Sequence, residues 1–412
     1  MRDEMTPPTE QSGKVPGSRR LGVTVATGGR TFTLDILTEP DHLREIADEW
    51  RALVLHPHTL PEIFLGFTEA DAEVLHPLVP ILRDEQGRIV AMAIARLQLS
   101  RLSRSGSYIP NFGRKCRVIV VPADGFIGGD AQFTPLIATA LIDFMDAGGA
   151  DVLECPFMPI GSDHHARLLA DCPRFGDATA FRNAHWFLDL ESTFEKQLQN
   201  LGRSTRGTLR NNLNRFHREF KGRYEIARHR PGESLEQLLD HSTRIANSSY
   251  HGGLGAGFST SPRELAIYRA ADELGVLWSR MLLIDGRPAA FMHALALKDV
   301  LTGTHMAYTS GLTKLPIGTI LMMKTVEDLI EDGRFRRWDF GSGDAEYKRR
   351  ICTTEHVDER RNLFAKTLRG RGMRVSSALI DGTERLARST LDRLNLDIKV
   401  RTMLRNRKRG AG

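Results

Sequence analysis

The chain contains no run of about 18 consecutive apolar residues, the length a helix needs to cross a bilayer, although it is 412 residues long. A membrane-spanning helix is therefore excluded. Its opening, MRDEMTPPTEQSGKVPGSRR, lacks the apolar stretch of a secretory signal, so the cytoplasm is the expected compartment. Only four cysteines occur, Cys116, Cys155, Cys172 and Cys352, far apart and with no histidine at zinc-ligand spacing. Free thiols and no metal site are expected. His164 and His165 are adjacent, which on a helix points them about 100° apart and on a strand to opposite faces, so GSDHH reads as a polar turn. Aromatic residues make up only 7% of the chain, but 41% is hydrophobic, enough for two ordinary packed cores.

Acidic residues are scarce at the C-terminal end. The whole chain carries 57 Lys and Arg against 51 Asp and Glu, and residues 371–412 hold eleven of the former against four of the latter. The body is thus close to neutral, and the basic pI describes a tail. Val375, Leu379, Ile380, Leu386, Leu394, Ile398 and Leu404 recur there at mostly helical spacing with arginines between them. Such a segment is a basic amphipathic helix or two, either packed loosely on the body or docked on an anionic membrane face or a partner. Aromatics for base stacking are absent from it, which argues against nucleic acid. A second basic run, Gly202 to Arg223, has seven positive residues and one acid. Leu209, Leu213 and Phe216 form its apolar stripe, and Arg206 and Arg210 stand on the other faces, either as a solvated surface or as phosphate ligands.

Between the tails the chain alternates strands and helices. Strands are predicted at Thr31 to Leu37, within Leu78 to Leu97, at Arg117 to Val121 and Val152 to Pro156, with helices at Asp41 to Leu55 and Thr134 to Ala147. The pattern then repeats. A strand at His185 to Leu190 leads into a helix at Ser192 to Leu201, the basic helix, a strand at Tyr224 to His229 and helices at Ser234 to Tyr250 and Ser261 to Leu274. Strands follow at Ser279 to Ile284, Ala289 to Leu297 and Thr302 to Tyr308, then a helix at Gly318 to Asp332 and a strand at Arg337 to Phe340. PILRDEQGRIVAMAIARL in the first half parallels RMLLIDGRPAAFMHALAL in the second: strand, polar turn with glycine, strand. Each leads to a further strand, a helix ending near glycine, and a short strand with an acid, DVLECP or RRWDFG. The expectation is an internally duplicated α/β unit.

The segments HWFLDLESTFEKQLQNLGRSTRGTLRNNLNRF, VLWSRMLLIDGRPAAFMHALALKD, AYTSGLTKLPIGTILMMKTVEDLIEDG and RRWDFGSGDAEYKRRI resemble the GNAT-superfamily acyltransferases of the CelD-like group, related to FemAB-type transferases. The resemblance covers roughly residues 185–365. It implies an α/β fold of two tandem GNAT-like domains, with mixed, mostly antiparallel sheets flanked by helices. The expected divisions are a disordered tail at 1–30, a degenerate GNAT-like domain at 31–182, an acetyltransferase-like domain at 183–370 and the basic tail at 371–412.

In a GNAT-like unit a strand ends beside the donor thioester, and the next helix offers the free amides of its first turn to a pyrophosphate. Lys314, Pro316, Ile317, Gly318 and Thr319 occupy that turn, so acetyl-CoA or another acyl-CoA is the implied co-substrate. Gly318 would allow close backbone approach. The pattern departs from the family's phosphate loop, which has two glycines at fixed spacing. An ordinary capped helix start remains the alternative. By resemblance Asp344, Tyr347 and Lys348 are recurrent family positions. Tyr347 would protonate a leaving thiolate, Asp344 or Glu346 would accept the amine proton, and Lys348 would contact substrate. Alternatively Asp344 caps the next turn while Tyr347 and Lys348 brace the sheet. His293, in FMHALAL, is a candidate base or a satisfied core histidine. Tyr250 opens YHGGLGAGF, a glycine-rich stretch suited to a mobile loop over the acceptor. Arg206 and Arg210 would serve a sugar nucleotide or lipid-linked sugar.

The implied activity is acyl transfer from acyl-CoA to an amine, hydroxyl or sugar-like acceptor, with the family association in polysaccharide and cell-envelope biosynthesis and the tail against the inner membrane face. Two rivals remain: a FemAB-like transferase using aminoacyl-tRNA, marked by a long positive stripe, and a non-catalytic scaffold, marked by a donor site filled with side chains.

Overall fold

The computed structural model describes residues 23–27, 30–101, 115–128, 130–176, 179–249 and 258–379. The expected N-terminal tail up to residue 22, the stretch 250–257 with Tyr250, and the basic tail from residue 380 onward lie outside these residues. The first half runs β1 (Val23–Thr27), β2 (Arg30–Leu37), α1 (Pro40–Glu45), α2 (Ala47–Leu53), α3 (Pro61–Ala70), β3 (Val74–Pro77), β4 (Val79–Arg83), β5 (Ile89–Ala93), β6 (Arg96–Ser100), β7 (Cys116–Val120), β8 (Phe126–Gly128), α4 (Thr134–Phe144), β9 (Val152–Pro159), α5 (Asp163–Asp171) and α6 (Pro173–Gly176). The second half continues with β10 (Thr179–Asp189), α7 (Phe194–Gln199), α8 (Arg203–Phe220), β11 (Tyr224–Arg228), α9 (Leu235–Ser248), α10 (Pro262–Glu273), β12 (Leu277–Ile284), β13 (Arg287–Leu297), β14 (Val300–Tyr308), α11 (Ile317–Asp332), β15 (Arg337–Ser342), α12 (Glu346–Ile351) and β16 (Thr354–Phe364).

Turn chemistry sets the two matching hairpins. Between β4 and β5, Asp84 Oδ1 accepts from the amides of Gln86 (3.1 Å) and Arg88 (2.9 Å), and Gly87 takes φ +77°. Between β12 and β13, Asp285 (φ 51°) and Gly286 (φ 73°) give a two-residue loop the positive φ at both positions that its twist requires. In each half a helix then crosses between parallel strands, α4 from β7 to β9 and α11 from β14 to β15. These are the two parallel pairings among the described residues; the rest are antiparallel. The mixed, mostly antiparallel α/β fold is as expected. α11 buries Ile320, Leu321, Met322, Met323, Val326 and Leu329 and ends at Gly333 in the left-handed region.

The strands form a five-stranded sheet, β1-β2-β4-β5-β8, and an eleven-stranded one, β11-β12-β13-β14-β15-β10-β16-β9-β7-β6-β3. One buried residue, Leu78, separates β3 from β4, and buried Ile94 and Ala95 separate β5 from β6. A single bent hairpin thus passes from one sheet into the other. The large sheet runs unbroken through both halves, and the expected boundary at residues 182 and 183 falls inside β10.

β16 is the longest of the elements that the sequence pattern does not predict. It lies between β10 and β9, with Asp358 opposite Pro159 and Thr179 opposite Asn362. Leu363 and Ala365, from the end of the second half, enter the first-half core with Ile119, Leu141, Leu153 and Phe175. Asp358, Glu359, Arg360, Arg361 and Asn362 are all buried, a run of polar residues that hides the strand from any hydrophobic periodicity. The four charged ones are tolerated because they are paired: Glu359 lies 3.1 Å from His165 Nε2, Arg360 lies 3.4 Å from Glu154, Asp358 meets His185 and Arg361 meets Glu359. GSDHH is not a free turn but the start of α5, because Ser162 Oγ accepts the amide of His165 (3.2 Å) as an N-cap.

Candidate active site

β14 and β15 pair only at Val300–Arg337, Leu301–Trp338 and Thr302–Asp339. Beyond that point β14 stays with β13 as far as Ala290–Tyr308, while β15 continues along β10 through Phe187–Asp339 and His185–Ser342. A wedge therefore opens at the C-terminal ends of two parallel strands. Around it Thr302 Oγ1, Trp338 Nε1 and Ser342 Oγ are buried with no hydrogen-bond partner. Each such atom costs about 1–3 kcal/mol unless a ligand or water meets it, so the wedge is polar where an apolar core would be expected.

α11 begins just past the end of β14. Lys314 is exposed and makes no ion pair among the described residues. Pro316 is the N-cap, and the Ile317 amide donates to the Leu315 carbonyl at 2.9 Å. The amides of Gly318 and Thr319, in the first turn, have no intrahelical acceptor. A Cβ on Gly318 would lie 2.7 Å from the Tyr308 ring. The close approach that Gly318 permits is thus by a side chain of β14, which corrects the expectation that this glycine leaves room for a pyrophosphate.

The segment after β15 divides the expected catalytic residues. Asp344 accepts from Arg349 Nε at 2.7 Å, and this contact holds its carboxyl below the usual range. Glu346 pairs with Arg350. Both acids are thus partnered on the exposed side of α12 rather than poised as free bases. Tyr347 keeps its phenol free of partners among the described residues, packs edge-on to Phe340, and is pushed up by burial and by nearby Cys352. It is a protonated donor at neutral pH. Lys348 is buried and donates to the carbonyls of Gly341 and Gly343, both at 3.1 Å. It clamps a turn whose glycines take φ 73° and 107°, a bracing role rather than the substrate contact expected of it.

His293 is fully buried, with Nδ1 2.8 Å from Ser279 Oγ and Nε2 2.8 Å from Ser242 Oγ. Burial, helped by His305, lowers its pKa to about 3, so it is a neutral core histidine and not a base. Arg206 donates to the Gln199 carbonyl at 3.2 Å and Arg210 pairs with Glu195. Both side chains bind α8 to α7.

A second cluster lies beside the wedge. His185 on β10 stands between two carboxylates, Nε2 2.7 Å from Asp339 Oδ1 and Nδ1 2.7 Å from Asp358 Oδ2. Burial alone would lower its pKa, but the two hydrogen bonds and the charges behind them raise it to about 9. It is an imidazolium. Burial would raise the Asp339 carboxyl, yet His185 and the Gly341 amide (2.6 Å) hold it low. Asp124, in the β7–β8 connection at φ 52°, is accessible to solvent, and its walls together with the Asp339 and Asp358 charges push it up. His56 and His58, with ring centroids 5.4 Å apart, are half-buried within electrostatic reach of Asp339. Burial lowers them to about 4 and about 3. The result is a cleft floored by β15, β10 and β16 that holds one fixed cation, at least two anions and neutral imidazoles.

The wedge thus lies between parallel β14 and β15, with α11 starting just past the end of β14. Residues 203–349 match the family model of the acetyltransferase (GNAT) domain. No curated protein matches the sequence. Among solved structures, L-PGS from Bacillus licheniformis superposes with a TM-score of 0.50 at 14% identity, covering 84% of this chain and 96% of that one. The C-terminal domain of a putative lysylphosphatidylglycerol synthetase from Agrobacterium fabrum gives 0.52 at 12%, with 84% and 96% covered. FemX gives 0.51 at 10%, with 78% and 96% covered. At these identities the likeness is one of fold, and it spans both halves.

The matched residues 203–349 include the wedge, α11, Tyr347 and Asp339, but not His185, Asp358, Asp124, His56 or His58. Those five lie outside residues 203–349 and were not singled out from sequence. Asp339 carries the only signal, as the acid of RRWDFG between Trp338 and Phe340. Its partners stand 154 and 19 residues away, at His185 directly and at Asp358 through it, and no local pattern joins them.

Proposed function

We propose that the chain is an acyltransferase that seats its donor in the wedge between β14 and β15 and receives its acceptor in the adjoining cleft. The observation that carries this reading is the parting of two parallel strands beyond Thr302 and Asp339, lined by three unpartnered polar atoms. Acyl-CoA, most simply acetyl-CoA, suits it as donor: amides of an extended thioester arm would meet those atoms, and Lys314 with the Thr319 amide would meet phosphate. When bound, the thioester supplies an activated acyl carbon. Tyr347 then protonates the departing thiolate, and Asp124, accessible and shifted upward, holds the acceptor ammonium and takes its proton. His185 keeps Asp339 ionised and, bonded to both carboxylates, fixes the Asp339 and Asp358 side chains, so most of the rate comes from positioning. An amine or amino-sugar acceptor of polysaccharide or envelope chemistry fits this cleft. The basic tail would add about 1 kcal/mol of attraction per charge to an anionic membrane surface.

A second reading, transfer from aminoacyl-tRNA, is favoured by the fold likeness to L-PGS and FemX across both halves. Calorimetric titration separates the two. Micromolar binding of acetyl-CoA that Thr319→Glu and Lys314→Glu abolish supports the first. Heat with aminoacyl-tRNA but with no acyl-CoA transfers the assignment to the second. Absence of heat with both refutes the acyltransferase reading.

A further inference from the structure

At the far end of the same sheet β11 and β12 bring two arginines face to face. Arg228 and Arg280 are directly opposite in the antiparallel register, an arrangement that like charges disfavour. Arg280 is buried, stacked 4.1 Å over Trp278 and bonded through Nε to Asp328 at 2.8 Å. Burial and the Arg228 charge both depress it, against the Asp328 contact. Arg228 has no such partner. Its guanidinium and that of Arg230, both exposed, make no hydrogen bond or ion pair among the described residues. The two flank a pocket of about 330 Å³ walled by Trp278, Leu277, Pro231 and Arg334. The acids nearby are committed elsewhere: Asp272 lies 2.8 Å from His229 Nε2, Glu233 lies 3.8 Å from His229 Nδ1, and Asp332 sits 3.7 Å from Arg334.

We propose that this pocket binds a small anion carrying a phosphate or pyrophosphate group. Two unpartnered guanidinium forks present the donor geometry that phosphate oxygens take in pairs, and an anion bound to Arg228 offsets its repulsion with Arg280 across the strand pair. The volume falls within the range of small-ligand sites, and the site is a half-open concavity rather than a stripe, which favours a small molecule over a nucleic acid backbone. It is not the donor site. The pocket touches Ala296, which pairs with Leu301 at the start of β14, whereas Gly318 packs on Tyr308 at its end, seven residues or roughly 23 Å along the strand.

Calorimetric titration of the full chain with inorganic pyrophosphate and with adenosine diphosphate tests the assignment. Micromolar to submillimolar binding is expected, weakened at least tenfold by Arg228→Gln combined with Arg230→Gln, partly restored by Lys at both positions, and unchanged by Thr319→Glu. Both arginines are exposed, so the variant should keep the parent's circular dichroism. Binding lost with Thr319→Glu instead, or no heat with either anion, overturns the proposal. So does arginine-dependent binding seen only with transfer RNA or with phosphatidylglycerol vesicles.

Discussion

The His185 imidazolium makes a prediction that can be worked from the structure. Its pKa lies at about 9 against an ordinary 6.5, which corresponds to about 3 kcal/mol of preference for the charged form in the folded state. The side chain is only 17% exposed, so solvent screening removes little of this. Because the folded value is above the unfolded one, the contribution is complete below pH 6.5 and disappears as the pH rises through 9. His185→Asn removes the cation and leaves the Asp339 and Asp358 carboxylates facing each other, a loss of about 3–5 kcal/mol near neutral pH. Urea denaturation of parent and variant at pH 6, 7.5, 9 and 10 should show that gap shrinking by about 3 kcal/mol at the alkaline end. Subtracting the variant cancels groups common to both. A gap constant from pH 6 to 10 would show that His185 is not charged by its two carboxylates and would refute the reasoning.

Tyr347→Phe should leave the fold intact and lower kcat by about 10²-fold with KM little changed, read in the first acyltransfer assay that succeeds; an unaltered kcat would remove Tyr347 from the chemistry. Gly318→Ala should cost about 1–3 kcal/mol because its methyl meets the Tyr308 ring, and Tyr308→Ala in the same chain should recover most of the loss in thermal denaturation. Leu363→Ala should cost about 2–5 kcal/mol. A chain ending before residue 354 should lose the first half's cooperative unfolding as well as the second's, since β16 completes the first core; two independent transitions in calorimetry would contradict that.

Much of this was legible in the sequence because it is local. The apolar stripe of Leu209, Leu213 and Phe216 places α8 at residues 203–220. DEQG and DG name the two hairpins through the backbone angles they favour, and the short helix-to-strand returns to DVLECP and RRWDFG mark both crossovers. The α11 start was found by its place after these elements, and Tyr347 by the family resemblance. Asp344 and Lys348 came from the family resemblance and Glu346 and His293 from residue type, and neither reports partners. Each is held by a neighbour, an arginine, two carbonyls or two serines, that withdraws it from acid–base work.

What the sequence alone determined is the order of the strongly periodic elements and the duplicated strand–turn–strand unit, since period and turn chemistry act over a few residues. The tertiary structure decided that β16 inserts between the halves and that His185 meets Asp339 and Asp358, 154 and 173 residues away. Burying charged residues is favourable only once their partners arrive. A strand stabilised in that way, such as TEHVDERRNLF, bears no mark of its position until the sheet around it has formed.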